Sequence, residues 1–338
     1  MRYAIFAYSK RGLNTAESIM SAADGEWRAY TVERLSGGVF SPIPKPSAPL
    51  FAECFSWADA IVFVGACGIA VRAIAPHVRS KTHDPAVIVV DELGKFIIPI
   101  LSGHIGGANA LASLIASKTG ALPVITTATD INGRFSVDSW AVGKGLLIDS
   151  MIAAKHVSAA ILERDIPVKS DFPMLGSLPQ GLFEGSSGET GIYVTFKNEK
   201  PFDITLRLIP KVLHLGLGCR RGISAEAVKN AVEQVFEQNK LDFNAVGKAA
   251  SIDLKASEAG LLEFCREKGI GIDFHSAEEL RRAEGDFTSS EFVAGITGVD
   301  NVCERAAIMD AERLIVRKTA VNGVTVAVAA EKYEVNFE

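Results

Sequence analysis

The sequence predicts an α/β protein: two α/β domains with mainly parallel sheets, joined by a smaller middle region. Three observations lead there. Short β-branched runs alternate with helical patterns through the first third of the chain, and the same alternation restarts at Lys211. Between about Asp130 and Pro210 the regularity weakens and Gly, Pro and Ser become dense. At 338 residues the chain is long enough for two domains, each with a real core. The expected division is 1–135, 136–210 and 211–338.

Taken in order, RYAIFAYS reads as a first strand, with a helix from about Thr15. AIVFV is a second buried strand, with a helix from about Ile69. AVIVVDE and KFIIPIL are strands around a turn at Gly94, and ANALASLIASKTG is a helix closed by Gly120 in the left-handed C-terminal position. In the middle, Ser150 to Arg164 is helical, DFPMLGSLPQGLFEGSSGETG is a loop, and GIYVTFK and ITLRLIP are strands. The last part gives VLHLGLGC as a strand, helices from Ser224 and Ser257, the latter ended by Gly269, and strands ASIDL and IDF. Ser276 and Glu279 form a capping box at the start of another helix. FVAGI reads as a strand, followed by a helix from about Asp300 and a hairpin turning at Asn322-Gly323. Two strand-to-helix turns echo each other, SKRGLNTAE and CRRGISAE, a likeness that any α/β protein can show.

Composition excludes several classes. With 48% hydrophobic and 22% charged residues the chain is globular, and its net charge of -5 argues against a broad nucleic-acid surface. An anionic ligand must therefore find local positive charge. The five cysteines (Cys54, Cys67, Cys219, Cys265, Cys303) are scattered without zinc-binding spacing, so structural zinc is not expected. The N-terminal apolar run is too short for a signal peptide, and no run reaches the roughly 20 apolar residues of a membrane span. A reducing, cytoplasmic setting with no membrane partner is the expectation.

The stretch LSGHIGGANALA carries the densest chemistry. It puts Ser102, Gly103, His104, Gly106, Gly107 and Asn109 between a strand and a helix N-terminus, where bare amides and the helix dipole favour carboxylates or phosphates. An imidazole has an ordinary pKa of about 6.5 and can move protons at neutral pH, while nearby amides can hold an oxyanion. His104 is therefore the candidate acid or base, and Asn109 either a ligand contact or a helix cap. Asp91 and Glu92, in the turn before the strand leading to His104, are candidates to orient the imidazole or act as base, or are solvated hairpin acids. Gly65 and Gly68 form a similar corner after AIVFV. His77, Arg79, His83 and Asp84 stay unassigned.

A second constellation, HLGLGCRRGIS, has the spacing G-x-G-x-x-x-G, one residue longer than the dinucleotide fingerprint. Gly218, Arg220 and Arg221 instead put guanidiniums beside helix-terminal amides, a set suited to carboxylates as well as phosphates. Lys248, Lys255 and Lys318 add local cations, and Cys219 lacks a partner base.

VGACGIAVRAIAPHVRSKTHDPAVIVVDELGKFIIPILSGHIGGANALA, followed by GALPVITTATD, resembles the N-terminal signature of the cobalt-precorrin-5A hydrolase family (CbiG) of anaerobic cobalamin biosynthesis. HLGLGCRRGIS, ASIDLKASEAGLLEF, GVDNVCERAA and VTVAVA are similar to its C-terminal domain. The resemblance implies hydrolysis of the δ-lactone of a cobalt-bound tetrapyrrole and loss of the C20 carbon with its methyl as acetaldehyde, giving cobalt-precorrin-5B. It implies an anionic cobalt-tetrapyrrole substrate and neighbouring corrin-pathway enzymes as further partners; because a macrocycle is large enough to touch both glycine loops, a cleft between the halves is the expected site. Cobalt belongs to the substrate, so no cofactor and no protein-bound metal is expected. Two other classes are kept in view: a non-catalytic tetrapyrrole carrier, which would not need His104, and a nucleotide-dependent enzyme using Gly216 to Gly222.

Overall fold

The structure is a computed structural model that describes residues 1–80 and 83–337. It divides into two compact units, Met1–Val142 and Gly143–Glu338.

In the first unit the chain runs β1 (Arg2–Ala7), α1 (Lys10–Ala22), β2 (Glu26–Thr31), β3 (Phe40–Pro42), α2 (Ala48–Trp57), β4 (Ala60–Val64) and α3 (Cys67–Ile74). It continues through β5 (Ala86–Val90), β6 (Phe96–Leu101), α4 (Ala108–Thr119), β7 (Leu122–Pro123), α5 (Ala128–Ile131) and α6 (Val137–Gly143). One sheet holds the strands in the order β3-β2-β1-β4-β5-β6-β7. All neighbours are parallel except β5 and β6, which form an antiparallel hairpin with Gly94 in the left-handed region.

Alternation along the strands builds two cores, because successive side chains leave opposite faces. Tyr3, Ile5, Val62, Val64, Ile88 and Val90 face α1 and α4, whose Ala16, Ile19, Leu111 and Ile115 cover them. Ala4, Phe6, Ile61, Phe63, Val87 and Val89 face α2 and α3. Helix α1 begins at Lys10, ahead of the expected Thr15, because Ser9 Oγ accepts from the Gly12 amide at 3.1 Å and caps it there. Helix α4 ends as expected, with Gly120 left-handed at φ 76°.

The second unit contains two five-stranded sheets. The first uses β8 (Leu147–Ile148), α7 (Met151–Glu163), β9 (Ile166–Ser170), β10 (Met174–Leu175), β11 (Leu182–Glu184), β12 (Thr190–Val194) and β13 (Ile204–Ile209), in the order β11-β9-β12-β13-β8. Only β8 is antiparallel in it, and β10 pairs instead with the final strand. The middle region expected at 136–210 is thus an α/β layer of its own. The third sheet uses β14 (Leu213–Cys219), α8 (Ala225–Gln238), β15 (Val246–Ile252), α9 (Ala259–Lys268), β16 (Gly271–His275) and α10 (Ala277–Arg282). After them come α11 (Glu291–Thr297), α12 (Val302–Ile308), β17 (Arg313–Val321), β18 (Val324–Ala330) and β19 (Val335–Asn336). The order is β16-β15-β14-β18-β17, with β18 antiparallel to both neighbours. FVAGI belongs to helix α11 and is no strand: Ser290 caps its start, and Gly298, left-handed at φ 76°, ends it.

A buried guanidinium ties the middle layer to the last one. Arg207 on β13 meets Asp149 at 2.9 Å and Asp242, beyond α8, at 2.8 Å, and donates to the Lys197 carbonyl at 3.0 Å. Its fork satisfies three acceptors at once, and all three charged side chains are nearly buried. Removing it strands two carboxylates. Arg207→Ala is expected to destabilise this unit by about 3–5 kcal/mol, read as a lower urea midpoint.

Candidate active site

The geometry follows from the direction of β6. Because β6 runs against β5, Leu101 sits beside Val87 and Ile97 beside Val90. The loop after β6 therefore leaves at the amino-terminal end of β5. Asp91 and Glu92 leave at its other end, about 16 Å away for a strand of this length. The parallel pairing of β7 with β6 delivers the segment after β7 to the same edge as the His104 loop. This small β6–α4–β7 unit has its own carboxyl edge, where α/β folds place ligands.

At that edge His104 Nε2 is 2.9 Å from Asp130 Oδ2 and 3.2 Å from Thr129 Oγ1. Its Nδ1 lies 3.5 Å from Asp138 Oδ1. Asp130 Oδ2 also accepts from Asn109 Nδ2 at 3.0 Å and from the Thr127 hydroxyl. Asn109 reaches Thr127 Oγ1 at 2.9 Å. Asp138 Oδ1 accepts from Ser136 Oγ and the Ser139 amide, each at 3.0 Å.

This setting fixes the charges. The contact with Asp138, and then that with Asp130, outweighs burial and raises the His104 pKa to about 9. Asp138 has the larger effect although it is farther, since its side chain is 9% exposed against 37% for Asp130 and water screens it less. Burial opposes charge on both acids. On Asp130 the bonds from Thr127, His104 and Asn109 prevail, and on Asp138 those from His104, Ser136 and Ser139, so both stay below the ordinary carboxylate range. At neutral pH the group is an imidazolium between two carboxylates.

The loop glycines have distinct causes. A Cβ on Gly103 would meet Asn109 Oδ1 at 2.9 Å, and one on Gly106 would meet Ser102 Cβ at 2.3 Å. Gly107 starts α4 with a left-handed φ of 81°. The amides of Ala108 and Asn109 are taken by the carbonyls of Ser102 and Gly103. Those of Gly103, His104, Ile105 and Gly106 have no protein acceptor among the described residues.

The structure brings only some of the expected residues to this edge. Asp91 accepts from the Leu93 and Phe96 amides, and Glu92 from Ser9, at the far end of β5; the hairpin keeps both away from His104. Gly65 and Gly68 also lie at that opposite edge, where the Gly65 amide donates to Val90. The Ser102 hydroxyl is bound to the Asp84 carbonyl at 3.0 Å. Asn109 is not the helix cap, because its side chain reaches across to Thr127 and Asp130.

In the second unit Gly218 lies inside β14, where a Cβ would meet Thr325 Oγ1 at 2.5 Å, so its bareness serves strand packing. Arg220 and Arg221 are exposed. The Gly222 amide beside them is occupied by the Glu258 carboxylate at 2.6 Å, and Lys255 reaches the same acid at 3.3 Å. Of the unassigned residues, Asp84 receives the Arg79 amide, His83 bonds Ser80, and His77 packs on Phe55.

Asp130, Asp138, Thr127 and Thr129 were not anticipated as site residues. The run TTATD is visible in the sequence, but a boundary at residue 135 cuts the helix that carries Asp138 away from the first unit it closes. Asp138→Asn is expected to bring the His104 pKa from about 9 down toward its ordinary 6.5, followed by NMR of the ring protons through a pH titration. An unchanged midpoint would remove Asp138 as the cause.

The sequence has relatives among known proteins. Residues 49–130 match the family model described as Cobalamin synthesis G N-terminal, and 213–329 match Cobalamin synthesis G C-terminus. The chain is 31% identical to the cobalt-precorrin-5A hydrolase of Salmonella typhimurium over 96% of both chains. It is 29% identical to that of Priestia megaterium over 98% of this chain and 96% of the other. A solved cobalamin biosynthesis protein G homologue from Sulfolobus solfataricus is 22% identical, covers 97% of this chain and 96% of its own, and superposes with a TM-score of 0.41. The chain belongs to the cobalt-precorrin-5A hydrolase family.

Proposed function

We propose that this chain is a cobalt-precorrin-5A hydrolase, opening the substrate δ-lactone and releasing acetaldehyde, with His104 as the proton-transferring group. The observation that carries the site assignment is an imidazole held cationic by Asp138 and Asp130 beside unpaired loop amides, in a chain of this family. The cobalt is part of the substrate.

Lactone opening needs water to attack the carbonyl carbon and lose a proton to solvent, an oxyanion to be held, and a proton for the ring oxygen that leaves. The unpaired amides of Gly103 to Gly106 hold the oxyanion, and the His104 imidazolium supplies the proton. Loss of the two-carbon unit as an aldehyde then needs a proton removed from its oxygen and one returned to the macrocycle carbon it leaves. The imidazole left neutral by the first step is the acceptor. Asp130 and Asp138 hold the ring in place throughout, the part first assigned to Asp91 and Glu92.

A resting imidazolium fixes the sign of the pH dependence. The rate is expected to stay level through neutrality and fall as pH rises through about 9, and to fall in acid as Asp130 and Asp138 protonate. A free imidazole base would instead give a rate that climbs through about pH 6.5. His104→Gln is expected to lower acetaldehyde release by about 10²–10⁴-fold, measured anaerobically with a coupled reductase. Wild-type release by this variant would take His104 out of the chemistry, and no release by the folded wild-type chain would overturn the enzymatic assignment.

A further inference from the structure

The other edge of the first sheet holds a hollow that the hydrolytic site does not use. In the order β3-β2-β1-β4 the chain leaves β1 first toward β2 and later toward β4, and such a reversal opens a crevice at the carboxyl ends of the strands. There the structure has a hollow of about 750 Å³. It is lined by the ring of Tyr8 after β1, by Ile43 after β3, by Phe51 on α2 and by Ile69 on α3, which together give an apolar floor.

Basic side chains line the hollow as well. Arg34 follows β2, Lys45 lies between β3 and α2, and Arg72 is on α3, with His77 beyond it. Glu33 is the one carboxylate lining the hollow. Among the described residues none of these four basic side chains has a carboxylate partner, in a protein whose net charge is -5. Arg72 only bonds its own helix, at the Gly68 carbonyl, at 3.1 Å. The Tyr8 hydroxyl is buried without a hydrogen-bond partner, and burial raises its pKa, so it remains a donor in need of an acceptor.

We propose that this hollow is a second binding site, for a flat, many-armed carboxylate macrocycle, with the ring on the Tyr8–Ile69 floor and its arms on Arg34, Lys45 and Arg72. The ligand class rests on the cobalt-tetrapyrrole reading above; the site itself rests on shape and charge. Cations on three separate elements match a ligand whose charges are spread around a rim, whereas a small acid reaches only one or two of them. The site cannot be the His104 site, because the length of β5 separates the two edges.

Uroporphyrin, a flat macrocycle bearing carboxylate arms all around its rim, is the probe, with its Soret band titrated against the full chain. Saturable binding is expected for wild type and for His104→Gln. It should be about tenfold weaker or more in Arg34→Glu/Arg72→Glu, and weaker again in Ile69→Trp, which fills the hollow and keeps the charge. Circular dichroism establishes that each variant is folded. Equal affinity of the charge-reversed variant, loss of binding in His104→Gln, or displacement by equimolar citrate would each overturn the inference. Acetaldehyde release, assayed separately, keeps the two questions apart: a chain that releases acetaldehyde without arginine-dependent probe binding refutes this site alone. One that binds the probe through these arginines without releasing acetaldehyde supports the site and refutes the hydrolase.

Discussion

Pairing β6 antiparallel to β5 governs where each functional group of the first unit comes to lie. Had β6 continued the parallel run, its following loop would have opened beside Gly65 and Asp91, at the carboxyl ends of β1, β4 and β5. The tight turn at Gly94 sends it back, since a left-handed residue there closes a hairpin too short for a crossover. Helix α4 then returns the chain to β7 in parallel with β6, and both strands deliver their polar ends to one place. An imidazole from one loop and a carboxylate from the other meet there, with Asp138 supplied by the helix that closes the unit.

What holds the cluster is electrostatic, and its dependence on pH has a definite sense. His104 is more basic when folded, so its contribution to stability is complete below its ordinary 6.5 and is lost as pH rises through about 9. Asp130 and Asp138 are more acidic when folded, so theirs is present above the ordinary 3.8 and is lost as pH falls below it. Neutral pH keeps all three charges. Asp130 survives partial burial because three donors converge on one of its oxygens, which makes Thr127 and Asn109 as much a part of the site as the acid itself.

Features specified by a few neighbouring residues were legible in the sequence. The capping box at Ser276, the Asn322-Gly323 turn and the Gly120 stop all appear where expected. Each depends on one or two backbone angles or short-range hydrogen bonds. FVAGI misled because its apolar run fits a strand or a helix equally, and Ser290 and Gly298, outside the run, decided for the helix. In the middle layer the helix near Ser150 and the strands that bury Tyr193 and Leu206 were legible, while β9, β10 and β11 were obscured because they are short and lie among Gly- and Pro-rich loops. His104 was legible as a loop imidazole. Its partners were not, since hairpin direction decides which acids face it and no local pattern records that direction.

The glycines of LSGHIGGANALA follow the same logic. Bareness at Gly103 and Gly106 answers close contacts within the loop, with Asn109 and Ser102, and Gly107 supplies a backbone turn. An alanine at 103 would press on Asn109, and Asn109 is what steadies Asp130 against the imidazole. The glycines therefore act on the imidazole through the position of a carboxylate, and the tight path leaves the amides of Gly103 to Gly106 without a protein acceptor among the described residues.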